Sequence, residues 1–397
     1  MPIHPPTLTV PSRRLALALI LAAGLGGAAQ AKDVVKIAFI GPLTGSNSAH
    51  GLGGRNAAEL AVKLHNAKPG ARYTYELVSL DDECKPNVGV QVATRAATDK
   101  SILAVIPHYC SAVAVATVDV YERFQAPVVV WAAVHPDVTY GRKTTVMNRV
   151  SATLIKQNEV AAKFLTGEQG YRRWVAIYDT TDYGKSMFKY FDQFLKQTPG
   201  QMVASFGVGV DQQDFNAELT RIKELKPDVV YFGGLTPLGV RLINQMSRLG
   251  ITAQFQGTSG IVGDSFLKGA GALAEGVVAM YDNPPVEKLP GGKFFVDEYA
   301  KQKYNETFEA YGPYAYTATA LVMDTIDKVG PDRRKIAAAL RTTKDYDAIV
   351  GKVTFDDHGQ NINPVTTRYV VQDGKWVAWE ESEYRTGKRR LAARPQN

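Results

Sequence analysis

Only two cysteines occur in the 397 residues, Cys84 and Cys110, too few for a cysteine-built zinc module or a multiply bridged scaffold. There is no His-Glu-x-x-His, which removes the common zinc-hydrolase signature. Glycine-rich cofactor loops are missing as well. Gly51-Leu52-Gly53-Gly54 lies well beyond its strand and lacks the dinucleotide spacing, and Asp179 stands where a phosphate loop ending in Gly184-Lys185-Ser186 needs its first glycine. Gly257-Thr258-Ser259-Gly260 is no nucleophile elbow, because its second glycine comes too early. His108 beside Cys110 points to a thiol nucleophile only if that thiol is free. No group of residues assembles what an active site needs, so neither an enzyme nor a cofactor is expected. Beyond the N-terminus no apolar run approaches the length of a membrane span, and the mature chain is expected to be soluble.

What is present begins with a leader. Arg13 and Arg14 precede an apolar run from Leu15 to Leu25 that ends in small residues and Ala29-Gln30-Ala31. That run is too short for a bilayer and carries an A-x-A-like cleavage site, so residues 1–31 read as a secretory signal peptide. Its removal takes away two arginines and no acids, lowering the net charge from +7 to +5. Much of the excess sits at Lys388, Arg389, Arg390 and Arg394, a basic tail expected to be unstructured. Export, together with the lack of interleaved basic and aromatic motifs, argues against nucleic acid as a partner. In an oxidising compartment the two cysteines suggest one disulfide, the alternative being a pair of free buried thiols.

From Val34 short apolar runs alternate with longer amphipathic segments. Strands are expected at 36–40, 73–80, 102–106 and 127–131, with helices at 55–66, 88–99 and 112–124 between them. The pattern restarts with strands at 174–178, 202–208, 229–233, 253–256 and 276–280 and helices at 184–196, 215–224, 238–249 and 265–269. Helices at 292–303, 314–329 and 333–341 follow, then strands at 352–355, 368–371 and 376–379. Alternation of this kind is the mark of parallel α/β sheets, and two arrays of similar length imply two lobes. Between them the chain passes through 147–151 without a strong breaker. The last part is too small for a core of its own and is expected to return to the two lobes. The stretch Ile106-Pro107-His108-Tyr109-Cys110-Ser111 joins a strand end, a cysteine and a serine at a helix start. Such a serine is expected to cap its helix, whose free N–H groups can hold an anion. A ligand in the cleft between lobes is the natural expectation.

Several of these residues also form a recognisable succession. Lys36-Ile37-Ala38-Phe39-Ile40-Gly41-Pro42-Leu43-Thr44-Gly45 resembles the opening strand and loop of the leucine/isoleucine/valine-binding protein family. Asp81-Asp82-Glu83-Cys84 and His108-Tyr109-Cys110-Ser111 resemble its two cysteine segments, and further landmarks fall at 179–184, 231–234 and 312–314. The resemblance covers the mature chain to about Glu383. It implies two doubly wound α/β lobes joined by a three-strand hinge, with lobe 1 at 32–150 plus 281–350 and lobe 2 at 151–280 plus 351–383. Residues 384–397 would be the tail. It also implies a periplasmic monomer that delivers a small-molecule solute to an inner-membrane ABC permease with its ATPase. A ligand-sensing subunit for a membrane receptor is the alternative.

Carried over residue by residue, the resemblance puts the ligand carboxylate near Ser111 and near the backbone of Ala132-Ala133-Val134, where Val134 replaces a threonine. Tyr183 corresponds to a tyrosine that helps close the cleft. Tyr109 and Tyr314 are retained rings, His50 replaces a ring of the first lobe, and Leu235 replaces an aromatic residue of the second. Ser259 stands where the family has the acid that meets the ligand's ammonium. A buried ammonium without a charged partner costs several kcal/mol. The expected ligand is therefore an aromatic or aliphatic carboxylate, or an amide, rather than an ordinary amino acid. A branched-chain amino acid remains the alternative if another acid, Asp282 or Asp182, has taken over the ammonium.

Overall fold

The computed structural model describes residues 1–4 and 33–392. Residues 1–4 are irregular and exposed; the rest of the expected leader and residues 393–397 lie outside the described residues. No described helix is long and apolar enough to cross a membrane.

The first sheet contains β1 (Val34–Gly41), β2 (Thr74–Asp81), β3 (Ile102–Ile106), β4 (Val128–Val130) and β5 (Met147–Arg149), in the order β2-β1-β3-β4-β5. All of its pairings are parallel. Helices cover both faces, which is why the strands read as nearly unbroken apolar runs. Ile37 and Phe39 of β1 pack with α1 (Ser48–Asn66) and α10 (Gly312–Val329). Ala38 and Ile40 point the other way, into a core shared with α2 (Pro86–Thr98) and α3 (Ser111–Phe124). Two more helices flank α10: α9 (Gly292–Gln302), which contacts α1, and α11 (Arg333–Arg341), which contacts α10 and β3.

The second sheet repeats the plan. Its parallel part is β6 (Arg173–Asp179), β7 (Gln201–Val208), β8 (Val229–Gly233), β9 (Gln254–Gly257) and β10 (Val278–Tyr281), ordered β7-β6-β8-β9-β10. Beyond β10, β13 (Thr367–Gln372) and β14 (Lys375–Ala378) add two antiparallel strands. One face packs on α4 (Leu154–Lys163) and α5 (Asp182–Leu195), the other on α6 (Asn216–Leu225), α7 (Thr236–Arg248) and α8 (Asp264–Ala270). A short hairpin, β11 (Tyr346–Ala348) with β12 (Gly351–Val353), stands apart from both sheets. The architecture is thus two doubly wound α/β lobes.

Two elements escaped the sequence. The stretch 147–151 was expected to be plain connection, yet β5 is a buried strand and α4 follows it. Both hide polar side chains in the interior, so neither shows an apolar period. Asn148 donates to the carbonyls of Val128 and Val146, and Arg341 Nε donates to its Oδ1 at 3.1 Å. In α4, Gln157 donates to Asp282 and Asn158 accepts from the Tyr231 hydroxyl at 2.6 Å. The basic tail differs too, being held as far as Ala392. Arg389 pairs with Glu275, Asp373 and Glu383, Leu391 packs on the second lobe, and Ala392 N donates to Gln254 Oε1 at 3.1 Å.

The chain passes between the sheets at 150–153, 282–291 and 354–366. Arg149, fully buried, binds these passages together. Its guanidinium donates to Gln360 Oε1 at 2.7 Å, to the carbonyls of Ala133 and His135 at 3.0 and 2.6 Å, and to Thr139 Oγ1 at 3.0 Å. Gln360 in turn donates to Ser151 O, Asn361 donates to Val150 O, and Asp282 accepts from Ala152 N. Burial lowers the Arg149 pKa to about 10, still cationic at neutral pH. Arg149→Met would leave several buried acceptors unpaired, and should cost at least ~3 kcal/mol in a urea unfolding titration.

Candidate functional site

In an open parallel sheet the ligand crevice lies outside the carboxyl ends of the strands, where the strand order reverses. Here that point falls between β1 and β3 in one lobe and between β6 and β8 in the other. The segments leaving those strands line one cavity of about 660 Å³. Thr44–Asn47 and Cys110–Ala112 come from the first lobe, Asp179–Tyr183, Leu235 and Leu238 from the second. The N-cap residue of α1 and the first turns of α2, α3, α5 and α7 border this cleft, and none of the five helices carries a side-chain cap from its N-cap residue.

The first-lobe wall is locked by the disulfide. Cys84 and Cys110 are bridged, with Cα atoms 5.5 Å apart. Glu83 and Cys84 both have positive φ, a conformation that side chains disfavour. Two hydrogen bonds hold it: Glu83 N donates to Asp81 Oδ1 and Cys84 N to Asp82 Oδ1, each at 2.9 Å. Asp82 Oδ2 also meets His108 Nδ1 at 2.8 Å, and His108 Nε2 meets the Tyr121 hydroxyl at 3.0 Å. His108 is therefore committed to structure, and Cys110 is no free thiol. Cys110 rather than Ser111 is the N-cap of α3. The Ser111 hydroxyl instead accepts from Val134 N at 3.2 Å and His135 N at 3.3 Å, tying the loop after β4 to the helix start.

Deeper in, tyrosines and small polar residues form a buried cluster. The Tyr183 hydroxyl meets Thr258 Oγ1 at 2.9 Å and accepts from Gly260 N at 3.0 Å. Burial pushes its pKa up to about 12, while hydrogen bonds to Thr258 and Ser259 partly offset this. Ser259 also hydrogen-bonds Tyr311, which burial raises well above the usual tyrosine value. Tyr109 stacks on His50 with ring centres 4.7 Å apart and meets Tyr311 edge-on. The Tyr109 hydroxyl and His50 Nδ1 are buried with no hydrogen-bond partner, as is Asn47 Oδ1. Unpaired buried polar atoms gathered at one place are rare in a folded chain and mark a site.

Of the residues singled out from sequence, Ser111, Tyr183 and Leu235 line the cleft. His50, Tyr109 and Ser259 belong to the buried cluster. Ala132 and Val134 are buried beside Ser111, and Val134 presents its N–H to that hydroxyl. Tyr314, in α10, adjoins the cluster through Tyr311, with ring centres 5.9 Å apart, and its hydroxyl lies 3.4 Å from Asp282 O. Asp282 is engaged by Ala152 N and Gln157, and burial raises its pKa to about 7. Asp182 borders the cleft in the first turn of α5. Sequence reasoning missed Tyr311 and Glu309. Glu309 is 7% exposed, lies 3.9 Å from His50 Nδ1, and accepts from Ser265 N at 3.1 Å. The only signal was its place two residues before a tyrosine at a helix start.

Residues 34–375 match the periplasmic binding protein family. The chain is 31% identical to the Leu/Ile/Val-binding protein BraC3 of Rhizobium johnstonii, over 92% of this chain and 99% of that one. Among solved structures it resembles the leucine-binding protein LivK of Thermotoga maritima, with TM-score 0.80 and 27% identity over 87% of this chain and 97% of that one. An R. palustris solute-binding protein in complex with benzoate shares the fold, with TM-score 0.78 and 19% identity over 87% and 95% of the two chains.

Two outcomes follow for the wall of the cleft. Replacing both cysteines by alanine should cost roughly 3.5 kcal/mol in the chain-entropy account, read as a lower denaturation midpoint. Ser111→Ala leaves two buried N–H groups unpaired and should cost about 1–3 kcal/mol in the same titration.

Proposed function

Given that the chain belongs to the periplasmic binding protein family, we propose that it is the solute-capturing component of an importer of the branched-chain amino acid type. In this reading residues 1–31 direct it to the periplasm and are removed. The mature monomer takes a small solute in the interlobe cleft and presents the closed form to an inner-membrane permease, whose ATPase drives transport.

The ligand is a small organic carboxylate without an amino group. One observation carries the carboxylate: five helix N-termini without side-chain caps converge on the cleft from both lobes. Their N–H groups and dipoles favour an anion. Four acids, Glu83, Asp179, Asp182 and Asp211, also line the cleft, two of them engaged locally. Glu83 is paired with Lys85 at 2.7 Å, and Asp179 spends its Oδ1 on Thr181 N at 3.0 Å. Where relatives would need an acid for an ammonium, Ser259 sits among the neutral hydroxyls of Tyr183, Thr258 and Tyr311. The tyrosine and histidine rings suit a flat or branched apolar body. That the same fold holds benzoate in the R. palustris protein supports a ligand of this kind.

Thermal unfolding with two ligand sets tests the reading. Benzoate, 4-hydroxybenzoate and short aliphatic acids should stabilise the mature protein, by about 2.7 kcal/mol at a hundred times the dissociation constant. Leucine, isoleucine and valine should not. Stabilisation by leucine alone would overturn it.

A further inference from the structure

His50 on α1 and Glu309 just before α10 belong to the first lobe; Thr236 on α7 and Ser265 on α8 belong to the second. The four meet across the lobe boundary. Hydrogen positions follow from their contacts. Thr236 Oγ1 donates to Gly260 O at 3.1 Å, and Ser265 Oγ donates to Glu309 Oε2 at 3.3 Å. Each hydroxyl can then only accept from His50 Nε2, which lies 3.3 Å from both. Nε2 therefore carries the ring hydrogen and Nδ1 a lone pair. That lone pair has no donor and faces Glu309 Oε2 at 3.9 Å. Two acceptors facing each other in a dry site repel, and one proton between them removes the repulsion.

Nothing else nearby supplies that positive charge. Tyr109, stacked on His50, and Asp264, at the start of α8, are the other titratable groups against the pair. Glu287, Lys303, Glu306 and Lys375 line an outer cavity that Glu309 also borders. Among the described residues the ion-pair contact of Glu309 is to His50. The approach is tight: a Cβ at position 263 would collide with Glu309 Oε2 as it stands.

We propose that His50 and Glu309 form a one-proton latch: the lobes close with Glu309 as a neutral carboxylic acid, and opening releases its proton to water. This rests on reading the interlobe cleft as the ligand site. A solute without an amino group is then bound with Glu309 in its neutral acid form, whereas a ligand ammonium placed at the pair supplies the charge itself. The pair thereby sets which solute class closes the cleft at a given pH.

Burial, with Asp264 close by, raises the Glu309 pKa from its ordinary 4.5 to about 7, and burial lowers that of His50 to about 4. Near neutral pH the proton therefore resides on Glu309. The closed form binds it more tightly than the open, exposed form. Its contribution to closure is complete below the open-state pKa and is lost as pH rises through the closed-state value.

Small-angle scattering on the ligand-free mature protein, at about pH 5.5 and about pH 8.5, reads the balance directly. From those pKa values Glu309 alone lowers the closed-to-open ratio roughly thirty-fold across that interval. His50, whose pKa falls from 6.5 to about 4 on closure, raises it roughly ten-fold, so the wild type should fall about three-fold, seen as a slightly larger radius of gyration at high pH. Glu309→Gln, which keeps the shape and cannot ionise, leaves only the His50 contribution and should reverse the trend, closing further as pH rises. A wild type whose scattering ignores pH overturns the proposal, as does a Gln variant that expands with pH as the wild type does. No ligand is added, so the latch can fail while the ligand assignment stands, and the reverse.

Discussion

A buried guanidinium without an ion-pair partner among the described residues ties a crossing between the lobes to the first lobe. Arg149 spends its N–H groups on Gln360, on two carbonyls of the loop after β4 and on Thr139. Desolvating the cation is costly, and it is tolerated because every contact is a directed hydrogen bond. Its neighbours repeat the device: Gln360 and Asn361 bond backbone at 150–151, and Asp282 takes an N–H of the first crossing. Polar groups on three passages are thereby satisfied by one another rather than by water. Hinged lobes linked by such passages can rotate as bodies while the crossings keep their pairing.

That arrangement leaves the recognition chemistry to the strand ends. Both lobes bring helix N-termini to the same cavity, so backbone N–H groups there act beside the acids Glu83, Asp179, Asp182 and Asp211. Behind it lies an interior of phenols and hydroxyls with one carboxyl, Glu309, and one neutral imidazole, His50. An anion at the helix ends and a protonated acid behind them are electrostatically compatible. Under the proposed reading, a fixed carboxylate at Ser259 would alter that balance.

Most of the fold was legible because strands covered on both faces must be apolar throughout: Ile102–Ile106 and Val229–Gly233 fall where their composition placed them. β5 and α4 were not, since Asn148, Arg149, Gln157 and Asn158 are polar residues buried through partners distant in sequence. The disulfide needed only the count of cysteines and an exported chain. Ser111 was legible as a helix-start residue, but its actual bonds, to the loop after β4, required that loop to be in place.

The sequence by itself determined two α/β arrays, their order of elements, the bridge from Cys84 to Cys110, and the strand ends where a ligand would sit. Those follow from local composition and period, which the chain carries in adjacent residues. Only the tertiary structure decided that His50 and Glu309 face each other, that Asp282 is already engaged, and that the tail packs as far as Ala392. Such facts depend on which distant groups desolvate one another, and no local pattern encodes them.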